Sequence, residues 1–259
     1  MAIAARLVEL VPGAWVATSR RYSTTSTVLL DGAGGAVVVD PAWDPDELAA
    51  IPSDLSEMGV RCVAGVATHE HYDHVLWHPD LGRVPRWASP GTVARLAAAR
   101  EQLLAPLADY LPPDLMAVAG RLDPLPGDRL PWAGPDIRVV THDAHAPAHL
   151  ALLVEGSGLL VSGDMLSDVE LPMPAEGDAS LDVYIGGLDR LREVVRRASW
   201  LVPGHGSPTD RPMARFDADM RYLDALLAGR PSRDVRISDP ANADLHAANL
   251  RRVRADVGH

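Results

Sequence analysis

Short apolar runs bounded by turn residues dominate the first quarter of the chain. Runs of about four to eight uncharged residues, rich in Val, Leu and Thr and ended by Gly, Pro or Asp, are typical of strands with buried faces. The sequence predicts two such strands within residues 7–18, a hairpin formed by residues 24–30 and 36–40, and a strand over residues 60–68 that contains the apolar run 62–67.

The strand pattern returns after residue 135, and stretches with helical spacing separate the strands. A short strand is predicted at residues 84–88, and the later strands are predicted at residues 137–141, 150–154, 159–162 and 200–202. Apolar positions recur every three or four residues over residues 44–55, 89–104, 181–197, 213–227 and 244–253, which predicts helices. Pro52 falls inside the first of these helices and is expected to interrupt it.

Strands and helices therefore follow one another in two similar successions. Two half-sheets packed face to face, with helices outside, account for that order. We expect a single domain over residues 1–259, with a helical C-terminal segment at residues 210–259. Residues 105–135 are rich in Pro and Gly and predict an irregular insertion, which either covers a pocket or runs over the surface.

The balance of charge and residue types narrows the classes of function. The chain has 259 residues, of which 47% are hydrophobic, enough for a large core. Acidic residues outnumber basic ones by 35 to 24, and the net charge of −11 argues against nucleic-acid binding. All 24 basic residues are Arg, so a lysine Schiff base is excluded.

Cysteine usage and hydropathy bear on the compartment. The single cysteine, Cys62, lies in a predicted strand and permits no internal disulfide. Residues 1–11 resemble neither a secretory signal nor a membrane span, and no other stretch is long enough to cross a bilayer. We expect a cytoplasmic protein with a small-molecule substrate and with neither nucleic acid nor membrane as partner. A homodimer is the assembly we consider.

The residues that suggest chemistry lie first in the sequence HEHYDH, directly after the strand at residues 60–68. Alternate positions of an extended segment point the same way, so His69 and His71 converge on one cation. Asp73 and His74 then turn toward a second cation. Neutral imidazoles with a hard carboxylate suit zinc, with iron or manganese as alternatives.

Three later positions also follow predicted strands, where side chains gather at one edge of a sheet. His145 comes after the strand at residues 137–141, Asp164 stands in the sequence SGD, and His205 stands in PGHG. The neighbouring glycines leave room for the backbone to approach a metal closely.

The HxHxDH motif, the isolated His, the GD and the PGHG, in that order over residues 24–208, resemble the metallo-β-lactamase superfamily. The resemblance implies an α/β (α+β) fold, the four-layer αββα sandwich known as the metallo-β-lactamase fold, with a dinuclear metal site between the sheets. It implies that His69, His71 and His145 hold the first of two zinc ions, that Asp73, His74 and His205 hold the second, and that Asp164 bridges them. Asp73 would also be catalytic, orienting the nucleophilic water or relaying a proton.

The SGD sequence also bears on the branch of the superfamily. Asp164 resembles the bridging carboxylate of glyoxalase II enzymes and lactonases, whereas true β-lactamases of this fold carry other residues there. The expected function is metal-dependent hydrolysis of a small ester, lactone or thioester. An iron-dependent oxidoreductase of the persulfide dioxygenase kind and a β-lactam hydrolase are the alternatives. His149, Tyr72 and Tyr184 are candidates for supporting the ligands or contacting substrate, and packing in the core is the alternative for each.

Overall fold

Two β-sheets form the middle of the molecule. The computed structural model describes residues 6–175 and 180–257, the side chains as far as residue 254. The first sheet has seven strands in sequential order: β1 (Val8–Val11), β2 (Ala14–Thr18), β3 (Thr25–Leu30), β4 (Gly35–Val39), β5 (Arg61–Val66), β6 (Arg86–Ala88) and β7 (Asp123–Pro124). The second has four: β8 (Ile137–His142), β9 (His149–Val154), β10 (Leu159–Val161) and β11 (Trp200–Val202), in the order β11-β10-β9-β8.

Each sheet changes from antiparallel to parallel pairing along its width. In the first sheet, β1 to β4 pair antiparallel and β4 to β7 pair parallel. In the second sheet, β10 runs parallel to β11 and antiparallel to β9. The central strands β4 and β9 are buried at every position, which explains why their sequences are continuous apolar runs.

The sheets pack face to face and the helices cover their outer faces. Val37 and Val39 of the first sheet share a core with Leu150 and Leu152 of the second. The helices of the described chain are α1 (Pro45–Glu57), α2 (Pro90–Leu104), α3 (Pro113–Val118), α4 (Leu181–Arg197), α5 (Pro212–Leu227) and α6 (Ala243–Val257). Helix α1 packs on the first sheet, and α4 and α5 pack on the second. The predicted αββα order is confirmed.

Helix α1 continues through Pro52, contrary to the interruption expected from sequence. A proline inside a helix costs about 3 kcal/mol because it removes one backbone hydrogen bond and crowds the preceding turn. The buried side chains Leu48, Ile51 and Leu55 offset that cost, since each stabilises the fold by roughly 1.5–3 kcal/mol. Tertiary packing therefore decides the length of this helix.

The Pro-rich segment at residues 105–135 is more ordered than the predicted irregular insertion. It contains α3 and a 3-10 turn at Ala105–Leu107, and Leu107 and Leu115 are buried in a core with α2. Pro106 is the one described residue of this segment that lines the main pocket. The segment therefore packs as part of the fold, and only its first turn reaches the pocket.

Helix α6 runs from Ala243 to Val257, where the sequence predicts a helix over residues 244–253. Among the helices in the described part of the chain, none combines the length and apolar character required to cross a membrane.

Candidate metal centre

Three imidazoles and one carboxylate meet at the edge of the sandwich where β5, β8 and β10 end. Nε2 of His69 and Nε2 of His145 lie 3.4 and 3.3 Å from Oδ2 of Asp164. Nδ1 of His71 lies 3.0 Å from Nε2 of His145. One potential ligand atom from each of the four residues lies within 4.8 Å of all the others, which is close enough for one cation to bind them together.

A second cluster lies on the other side of Asp164. Nε2 of His205 is 3.3 Å from Oδ2 of Asp73 and 3.3 Å from Oδ2 of Asp164. Nε2 of His74 is 3.1 Å from Oδ1 of Asp164 and 3.4 Å from Nε2 of His205. The structure thus brings together all seven residues that the sequence analysis selected as metal ligands, with Asp164 in contact with both groups.

The donor atoms fit a pair of divalent cations. His69 is fully buried, and its Nε2 has no hydrogen-bond partner in the described structure. A buried polar atom without a partner is costly, and a bound cation removes that cost. Five imidazoles and two carboxylates suit zinc, iron or manganese. The residues present therefore match the chemistry of a dinuclear metal site.

A buried aspartate that the sequence analysis missed fixes two of the imidazoles. Asp40 follows β4, and its Oδ2 lies 3.0 Å from Nδ1 of His74 and accepts a 2.7 Å hydrogen bond from the hydroxyl of Thr68. The same hydroxyl lies 3.0 Å from Nδ1 of His69. These contacts turn the Nε2 atoms of both imidazoles toward Asp164. The signal in the sequence was a charged residue ending a fully apolar strand.

Replacing Asp40 by asparagine is expected to weaken metal binding by about 10- to 100-fold, because His74 loses the carboxylate that orients it. The measurement is metal affinity by competition with a chromogenic chelator. Asp54→Asn is the matched control, since Asp54 is also buried but accepts a hydrogen bond from the backbone of Leu7, away from the site. Equal metal affinity in the two variants would contradict the assignment.

Two other imidazoles are held by backbone carbonyls. Nδ1 of His205 lies 3.0 Å from the carbonyl oxygen of Tyr22, and Nδ1 of His145 lies 3.1 Å from that of Met173. Tyr22 has a φ of 52°, a left-handed conformation that is unusual for an aromatic residue. Strained backbone of this kind often occurs at functional sites, and here it points the carbonyl at the imidazole.

The two clusters differ in protonation. Burial lowers the pKa of His69 well below its ordinary value and lowers the pKa of His145 to about 3. Burial also acts on His205, but the carboxylate of Asp164 outweighs it and raises the pKa of His205 to about 10. Burial also acts on the pKa of His74, but the carboxylates of Asp164, Asp73 and Asp40 together raise it well above its ordinary value. His69 and His145 therefore offer neutral nitrogens, whereas a cation that binds His74 and His205 displaces protons.

The centre opens into a pocket of about 540 Å³. Tyr72 lines this pocket, as proposed from sequence, and its ring packs edge-on against Trp43 at 5.6 Å between centroids. Tyr22 also faces the pocket and is 63% exposed. Beside these aromatic rings, the wall includes Glu70, Arg95, Gln102 and Glu170, none of which the sequence analysis selected.

The remaining two candidates lie away from the pocket. Nε2 of His149 accepts a 3.2 Å hydrogen bond from the backbone N–H of Asp164, and the ring stacks on His69 at 4.8 Å. His149 therefore supports the backbone of Asp164 and the ring of His69 without lining the pocket. Tyr184 is 1% exposed in the core between α4 and the second sheet, so the proposed contact with substrate is wrong. Its position near a helix start did not reveal which face of the helix it occupies.

Comparison with known proteins identifies the family. The model of the metallo-beta-lactamase superfamily matches residues 20–209. Among solved structures, the fold is similar to a beta-lactamase domain protein from Burkholderia ambifaria, with 24% identity, a TM-score of 0.60, and coverage of 88% of this chain and 76% of that one. It is also similar to a metallo-beta-lactamase family protein from Thermus thermophilus, with 23% identity, a TM-score of 0.60, and coverage of 85% and 83%.

A longer protein shares the fold over nearly all of this chain. It is the stereoselective inverting sec-alkylsulfatase from Pseudomonas sp., with 17% identity, a TM-score of 0.66, and coverage of 96% of this chain and 49% of that one. At these identities the structural likeness concerns the fold. The family model matches well over half of this chain, so the chain belongs to the metallo-beta-lactamase superfamily. Members of this superfamily are mostly hydrolases.

Proposed function

We propose that the protein is a dinuclear metal-dependent hydrolase that cleaves an ester, lactone or thioester of a small molecule, in the branch of the superfamily that includes glyoxalase II and the lactonases. The observation that carries the proposal is the place of Asp164. Its two oxygens lie 3.1–3.4 Å from imidazole nitrogens of both clusters, which is the arrangement a bridging carboxylate requires.

The residues of the chain have distinct parts in this reaction. His69, His71 and His145 would hold one cation, Asp73, His74 and His205 the other, and Asp164 both. When bound, the cations supply a Lewis acid and lower the pKa of water to roughly 7. The chain orients the imidazoles through the contacts of their outer nitrogens, so the site is rigid before substrate arrives.

Asp73 is the residue best placed to handle a proton. It lines the pocket, and its Oδ2 lies 3.3 Å from His205 and 3.6 Å from His74. A carboxylate at this position accepts a hydrogen bond from the attacking water and fixes the direction of attack. Asp73 would take a proton from that water and then donate the same proton to the leaving group. We therefore assign Asp73 two roles, as a metal ligand and as a catalytic residue.

Metal content separates this proposal from an iron-dependent oxidoreductase on the same fold. Protein purified without added metal is expected to contain two divalent ions per chain, because donors for two sites converge. We favour zinc, since five of the seven ligands are imidazoles. Elemental analysis that finds one iron per chain would favour the oxidoreductase.

A substrate panel tests the bond that is cleaved. Metal-loaded protein is expected to turn over members of a set of aryl esters, lactones and thioesters faster than β-lactams, phosphodiesters or secondary alkyl sulfates. Secondary alkyl sulfates are included because one protein of similar fold is an alkylsulfatase. Turnover of β-lactams alone, or of nothing with both metals bound, would overturn the proposal while leaving the fold assignment intact.

A further inference from the structure

Helix α2 contributes a polar strip to the wall of the metal-site pocket. Arg95 and Gln102 both line the pocket, one on each side of a kink in α2 at Ala99. Arg95 is the one arginine among the described residues that line this pocket. Its side chain is 49% exposed, so its guanidinium is accessible to a ligand.

The guanidinium of Arg95 is held in place by the metal-binding loop itself. Its Nε donates a 2.5 Å hydrogen bond to Oε1 of Glu70, the residue between His69 and His71. Glu70 is 1% exposed and has this one ion pair in the described structure. The two Nη atoms of Arg95 have no hydrogen bond to any residue that the structure describes. One edge of the guanidinium is therefore anchored and the other is available.

We propose that Arg95 binds a carboxylate group of the substrate, at a position remote from the bond that is cleaved. The two Nη atoms form a planar fork that matches the two oxygens of a carboxylate. Because Glu70 already fixes the guanidinium, little side-chain entropy is lost when a ligand binds. The net charge of −11 repels anions from the protein, so an anionic substrate needs a specific contact with a cationic side chain in order to bind.

This inference rests on the proposed hydrolase function and narrows its substrate class to acids that carry the ester, lactone or thioester on a second functional group. Glu170 also lines the pocket and lies close to Asp164 and His205, where it is a further candidate metal ligand.

The test compares two para-nitrophenyl esters of the same shape, the monoester of glutaric acid and the ester of glutaric acid monoamide. The wild-type protein is expected to prefer the charged ester by about tenfold or more in kcat/KM, the scale of one charge-assisted contact. The preference is expected to lie in KM. Arg95→Ala should abolish the preference for the charged ester over the neutral one, and Arg95→Lys should restore part of it.

Removing Arg95 leaves Glu70 buried without its counterion, which is costly for the fold. The variant Arg95→Ala with Glu70→Gln removes both charges and keeps the test valid if the single variant fails to fold. Arg83→Ala is the matched control, because Arg83 is exposed and lies outside the pocket. It should retain the full preference for the charged ester.

A binding measurement separates failure of this inference from failure of the proposed function. Calorimetric titration of metal-loaded protein with glutarate and with glutaric acid monoamide needs no turnover, and both ligands keep one carboxylate for the metals. The wild type is expected to bind glutarate about tenfold more tightly than it binds the monoamide. The double variant is expected to bind the two compounds equally tightly. If no ester is hydrolysed but this difference appears, Arg95 keeps its assigned role. Equal binding in the wild type would overturn it.

Discussion

Asp164→Ala is expected to lower kcat/KM by a factor on the order of 10⁴, the size of loss seen when an essential catalytic group is removed. Among the residues that the structure describes, Asp164 is the one whose oxygens contact imidazoles of both clusters, at 3.1 Å from His74 and 3.3 Å from His145. Without its charge, two cations a short distance apart repel each other, so the second ion is expected to be lost. Activity and elemental analysis on the same preparation measure both effects.

The fold of this variant is expected to survive, because the backbone around Asp164 is held independently of its carboxylate. Its N–H donates to His149, and Gly204 donates to the carbonyl of the preceding Gly163. Asp80→Ala is a suitable control, since Asp80 is exposed and lies outside the pocket. An Asp164→Ala protein that retains two metals and full turnover would mean that the bridge has been assigned to the wrong residue.

Removal of the metals is expected to lower the melting temperature by about 10 °C or more. Each site contributes about 4 kcal/mol when free metal exceeds its dissociation constant a thousandfold, and a domain of this size loses roughly 2–4 °C per kcal/mol. The physical cause is local: Asp73 and Asp164 are buried, each 3.3 Å from Nε2 of His205, and their charges lose a common cation. Thermal unfolding before and after dialysis against a chelator measures the change.

The same chelator saturated with calcium is the control for direct effects of the reagent on the protein. Re-addition of zinc should restore the original melting temperature. Asp164→Ala protein, which is expected to hold less metal, should show a smaller shift under the same treatment. An unchanged melting temperature after elemental analysis has verified metal loss would show that the ions contribute nothing to stability.

Much of the fold and of the candidate metal centre could be predicted from sequence because the signals are local. Continuous apolar runs marked β4, β5 and β9, and apolar periodicity marked α4 and α5. Polar residues directly after such runs must lie at a sheet edge, because the strand itself ends there. His69, Asp164 and His205 satisfied this rule, so their positions could be anticipated one by one.

The residues that the sequence analysis missed act through contacts between distant parts of the chain. Asp40 reaches His74 across 34 positions, and Tyr22 reaches His205 across 183. Arg95 meets Glu70 across 25 positions, on a helix whose apolar pattern says only which face is buried. Tyr184 shows the converse error, since nearness to Asp164 in sequence suggested a contact that the direction of the side chain prevents.

The sequence by itself determined the places of most strands, the seven candidate donor residues and the family resemblance, because each depends on the order of residue types within a short segment. Only the tertiary structure decided that Asp40 contacts His74, that α1 continues through Pro52, and that Arg95 faces the pocket. Those outcomes depend on which elements pack together and at what distance. Burial of apolar surface and pairing between remote segments of the chain decide the choice of elements and their distance.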